Sequence, residues 1–72
     1  MDLIEITEKE RLNREVVADR LRTLADMLSH HNDFEFDRGG LHFKVPVPDE
    51  VDFKLELEIG DDERELEIEI TW

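Results

Sequence analysis

The chain has 72 residues, no cysteine, and 21 acidic against 9 basic side chains, giving a formal net charge of −12. That length supports one small core without a deep catalytic cleft, and the missing cysteines rule out disulfides, thiolate metal sites and cysteine nucleophiles. The charge repels phosphate backbones and so argues against nucleic acid, while the lack of a long apolar run or signal-peptide pattern argues against a membrane and predicts a cytoplasmic location.

Acidity of this degree is shared with disordered tails, but the apolar residues here fall in periodic patterns that such tails lack. In the opening segment Asp2 to Glu10, Ile4 and Ile6 alternate with Glu5 and Thr7, which predicts a half-buried strand. Next, Val17, Leu21, Leu24 and Leu28 recur at helical spacing, widened by Ala25 and Met27, and form one apolar stripe. Asn13 suits the N-cap, Glu15 suits the first turn, and Leu12 stands where it can staple to Val17. Arg22 and Asp26 are spaced as an i,i+4 ion pair, and Asn32 is the expected left-handed stop.

Beyond the helix, Phe34 and Phe36, then Leu41, Phe43 and Val45, alternate with polar residues around Arg38-Gly39-Gly40 and predict a β-hairpin. Pro46 and Pro48 punctuate the connection. A second hairpin follows: Val51, Phe53, Leu55, Leu57 and Ile59 share one face, Gly60-Asp61-Asp62 starts the turn, and Leu66, Ile68, Ile70 and Trp72 resume that face. The expected fold class is α+β. One amphipathic helix packs on one face of a mainly antiparallel four- to five-stranded sheet, in the order β-α-β-β-β-β.

The second hairpin carries a consequence for charge. If its apolar residues share a face, Glu56 and Glu58 must stand opposite members of the set Glu65, Glu67 and Glu69 in any permitted register. Like charges directly across a ladder cost ~0.2–1 kcal/mol per pair. Lys44 and Lys54 share that outer face if the sheet is a meander, but two lysines do not neutralise the row. Three explanations compete. Concentrated salt would screen the repulsion, and the scarcity of lysine fits a salty cytoplasm. Alternatively, these five glutamates form an interaction face for cations or a basic protein. The third explanation is artificial design, against which the irregular first segment and the pair His30-His31 argue.

Recognisable catalytic chemistry is missing. Adjacent His30 and His31 lack the i,i+4 spacing of a two-histidine metal site, His42 completes no ligand set, and Asp61-Asp62-Glu63 lacks the spacing of a calcium loop. The glutamates repeat along an open face with no apolar pocket to raise one carboxyl above the rest. No nucleophile elbow, phosphate loop or dinucleotide fingerprint occurs, so no catalytic, cofactor-binding or metal residue is assigned. Trp72 shares parity with Leu66, Ile68 and Ile70 and is read as covering the core; the alternative is an exposed aromatic anchor for a partner.

The helix segment NREVVADRLRTLADML, the block GGLHFKVPVPDEVDFKLELEI and the ending ELEIEITW together resemble the amphi-Trp domain, a small family common in haloarchaea. The resemblance rests on Pro46, Pro48, Asp49, Glu50, Leu66, Ile68, Ile70 and Trp72. It implies an uncharacterised function with no catalytic residues to carry over, and it favours the salty-cytoplasm explanation. The resulting expectation is a non-enzymatic binding or accessory module, monomeric or weakly dimeric through a strand edge. A cation- or basic-protein-binding module is the second choice and an enzyme a remote third.

Overall fold

In the computed structural model, which describes residues 4–72, helix α1 spans Arg14–Asp26. Asn13 begins it in extended conformation, and its side-chain oxygen accepts from the Val16 amide at 3.0 Å, satisfying one of the free donors of the first turn. The helix then widens into a π-helical turn, Met27–His31, and stops at Asn32, whose φ of 57° is the left-handed conformation asparagine tolerates. Arg22 does not pair with Asp26 as its spacing suggests. Its guanidinium reaches back 2.7 Å to Asp19 one turn earlier, while Asp26 lies 3.8 Å from His30.

Strands β1 (Asp33–Arg38) and β2 (Leu41–Pro46) form the first antiparallel hairpin, with Phe36 opposite Phe43 and Phe34 opposite Val45. Gly39 and Gly40 turn it at φ 56° and 81°. Positive φ at both central residues gives the turn a twist that matches the strands, and glycine adopts it without the Cβ penalty. Nothing lies within 4 Å of a Cβ added at Gly40, so Gly40→Ala is expected to cost about 1 kcal/mol, all of it backbone strain. A urea titration measures this, and a neutral result would contradict the turn conformation.

Strands β3 (Asp52–Ile59) and β4 (Arg64–Thr71) form the second antiparallel hairpin, closed by the Gly60 amide donating to the Glu63 carbonyl at 2.8 Å. The two hairpins are separate two-stranded sheets. This corrects the expected single four- to five-stranded sheet under the helix. Alternation fixes which face of each hairpin is apolar, but says nothing about which strand edges meet, and β2 and β3 do not pair. Lys44 and Lys54 accordingly belong to different sheets.

The predicted first strand is also corrected. Residues 1–3 lie outside the described part, and residues 4–13 form no strand. Side chains hold this segment in place: the Thr7 carbonyl accepts from Arg38 at 3.0 Å, and Glu10 pairs with Arg20 at 2.8 Å. Ile4 and Ile6 border a recess with Phe36, Phe43 and Val45, so their apolar alternation serves side-chain contact without a backbone ladder.

Apolar packing is thin. No hydrophobic side chain among the described residues is fully buried. The radius of gyration, 14.2 Å, exceeds the ~11 Å of a compact chain of this length. The accessible surface, 7033 Å², exceeds the ~4,700 Å² of a compact monomer of this mass. Much of the excess lies on the second hairpin, where Leu57 and Ile59 are 67% and 68% exposed.

Candidate functional site

The β3–β4 hairpin has two chemically opposed faces. Its register sets Phe53 opposite Ile70, Leu55 opposite Ile68 and Leu57 opposite Leu66 on one side. The side chains between them point the other way, where Glu56 stands opposite Glu67 and Glu58 opposite Glu65. The glutamate confrontation expected from parity is therefore present in two directly opposed pairs. Glu69 instead stands opposite Lys54, whose ammonium lies 3.1 Å from Glu56 on its own strand. One lysine thus serves the base of an acidic strip that continues to the turn.

At the turn the strip widens into an open recess of about 350 Å³ bordered by Glu58, Asp61, Asp62, Glu63 and Glu65. Such a surface concentrates cations diffusely, because exposed carboxylates in high dielectric hold their counterions loosely. Among the described residues, no group of three or more metal-ligating side chains converges closely enough to hold an ion.

The histidines have separate surroundings. His30 faces Asp26, and His42 sits opposite Asp37 in the β1–β2 ladder, with Nδ1 2.7 Å from the Asp37 carboxylate. The hydrogen bond to Asp37 and that group's negative charge raise the His42 pKa above its ordinary value. Because the folded value is raised, the pair's contribution to stability is fully present below the unfolded histidine pKa of about 6.5 and fades as pH rises through the folded value. In a proton NMR titration, Asp37→Asn should bring the His42 midpoint down; an unchanged midpoint would assign the shift to another source.

Asp33, at the start of β1, is the one buried charged residue among those described, 6% exposed. One carboxylate oxygen lies 3.5 Å from the Lys44 ammonium on the neighbouring strand, and the other has no hydrogen-bond partner among the described residues. Sequence reasoning gave Asp33 no role, since an aspartate following a helix stop reads as a turn residue. The Val47 amide donates to the Asn32 carbonyl at 2.9 Å beside it, tying the helix end to the exit of β2.

A second feature lies between elements, where sequence reasoning set Trp72 over the core against the helix or a neighbouring phenylalanine but gave no cleft. Leu21, Leu24, Ala25 and Leu28 of the helical segment meet Phe34 and Phe36 of the first hairpin and Ile68, Ile70 and Trp72 of the second around a cleft of about 590 Å³. Trp72 stacks on Phe34, with ring centroids 6.0 Å apart and planes inclined by 26°, while remaining 53% exposed. Every side chain bordering this cleft is apolar except for the indole N–H. It lacks the convergent polar groups by which ligand pockets orient a small molecule. Its chemistry is that of an open apolar seam bordered by three elements and bridged by the Trp72–Phe34 stack.

Among the described residues, one capped helix, two hairpins and a tryptophan at the seam define a small α+β unit. The Amphi-Trp domain model matches residues 2–72, and the chain belongs to that family. Neither a curated protein nor a solved structure shows significant similarity to the chain. No helix among the described residues is long and apolar enough to cross a membrane.

Proposed function

We propose that this chain is a non-enzymatic binding or accessory module adapted to a salt-rich cytoplasm. The observation that carries the proposal is the direct opposition of Glu56 with Glu67 and Glu58 with Glu65 on an open sheet face. A fold that retains such pairs with little basic compensation works best where mobile ions screen them. At molar ionic strength the Debye length falls to ~3 Å, so repulsion across the ladder fades while the carboxylates stay hydrated. Urea unfolding across a KCl series tests this, and a domain equally stable at low and molar salt would overturn it.

The acidic recess at the β3–β4 turn supports a second reading, in which the strip receives a basic protein or cations. The two readings differ at working salt. A recognition surface gives saturable binding of a lysine- and arginine-rich peptide in molar KCl, and loses it in a variant with Glu58→Gln and Glu65→Gln. A solvent-adapted surface shows only attraction that disappears as salt is raised.

A further inference from the structure

The apolar side of the second hairpin is a separate observation from the acidic side and does not depend on the salt reading. Phe53, Leu55, Leu57, Ile59 and Leu66 are 59–68% exposed and share one face, beyond the part of it that Ile68 and Ile70 turn to the cleft. Together they present on the order of 600 Å² of apolar surface, at the upper end of what monomers leave open and most of the ~800 Å² each partner contributes to a standard interface. The whole chain exposes on the order of 2,000 Å² more than a compact monomer of its mass, so a single partner of similar size has surface to bury.

We propose that this face is the interface of a homodimer, in which a second copy stacks its own β3–β4 apolar face against it about a twofold axis. Charge selects this occupant and this geometry. Edge-to-edge pairing would extend the glutamate rows side by side at strand spacing, ~4.8 Å, and compound the repulsion already present within one hairpin. Face-to-face stacking sends the two acidic strips to opposite outer surfaces. Stacked sheets lie ~10 Å apart, with the carboxylates further out on either side, so the strips are separated by at least the Debye length even at 0.1 M salt. An anionic lipid surface would meet the acid flanking this patch, and the basic partner of the second reading would choose the opposite side.

The same stacking gives the hairpin what it lacks in one chain. A two-stranded hairpin alone is marginal in water and needs a packed face to persist. A copy supplies an apolar face of matching length and the same twist, as in two-layer sandwiches.

Light scattering coupled to size-exclusion chromatography in 2 M KCl, over a protein dilution series, tests the proposal with the full chain. The wild type is expected to elute as a dimer that dissociates on dilution. Leu57→Lys buries an unpaired charge and should raise the dissociation constant at least ~100-fold, whereas Glu58→Lys, one residue along on the other face, should leave it within a few fold. Leu66→Ser offers a milder disruption should Leu57→Lys fail to fold, with circular dichroism monitoring the helix. A wild type that stays monomeric throughout the series overturns the proposal. So does a dimer that Glu58→Lys strengthens or breaks while Leu57→Lys and Leu66→Ser leave it intact, since that pattern belongs to an edge or acidic-face contact.

Discussion

Raising KCl from 0.1 M to 2 M is expected to stabilise this domain by about 1–3 kcal/mol, with an unfolding midpoint higher by on the order of 5–15 °C. Two opposed glutamate pairs at ~0.2–1 kcal/mol each supply ~0.4–2 kcal/mol of this, and diffuse self-repulsion across a chain of formal charge −12 supplies the rest. Salt also strengthens apolar burial, so the slope alone does not identify screening. The decisive comparison replaces the opposed side chains. Glu65→Lys with Glu67→Lys converts both pairs to attractive ones while leaving the Lys54–Glu56 contact in place, and should stabilise the domain at 0.1 M by about 1–2 kcal/mol, with the gain shrinking towards zero at 2 M. A variant whose advantage is the same at both salt concentrations would show that the glutamate rows are not what salt relieves. Running the series at two protein concentrations separates this effect from dimerisation, which depends on concentration where intramolecular screening does not.

The features legible in the sequence were those that a local rule decides. Asn13 and Asn32 bound the helical region because a side-chain acceptor and a tolerance of positive φ are properties of single residues. Gly39 and Gly40 marked the first hairpin for the same reason, and strand parity alone placed glutamate against glutamate in the second. Arrangements that depend on several elements were not legible. Periodicity specifies an apolar face but leaves open whether the neighbour is another strand, a helix or a second copy. Two apolar hairpins therefore suggested one sheet, where β1–β2 and β3–β4 form two. Ile4 and Ile6 alternated like a strand, yet Arg38 and Arg20 secure that segment through a carbonyl and a carboxylate. The candidate acidic face could be read residue by residue, whereas the cleft bounded by the helix, both hairpins and Trp72 exists only through tertiary placement.

That placement makes Trp72 the residue whose loss should reach furthest. It stacks on Phe34 and borders the same cleft as Leu21, Leu24 and Leu28, so it links the end of the second hairpin to the first, on the side where the helix stripe faces. Complete burial of a tryptophan would put Trp72→Ala at ~3–5 kcal/mol, and its 53% exposure brings the expected loss to about 2 kcal/mol. For a chain this short that lowers the unfolding midpoint by on the order of 10 °C. Phe34→Ala should cost a comparable amount, and the double variant should fall short of the sum by ~0.5–1.5 kcal/mol, because the aromatic pair is then lost only once. Trp72 is the single tryptophan of a chain without tyrosine, so its fluorescence follows the seam directly in the wild type and in Phe34→Ala. The coupling separates a packing role from a docking role: an indole held out for a partner would give Trp72→Ala near-native stability and strictly additive energies with Phe34→Ala. Partial exposure makes the two roles compatible in geometry, but only the packing role makes the stability of the helix and first hairpin depend on the last residue of the chain.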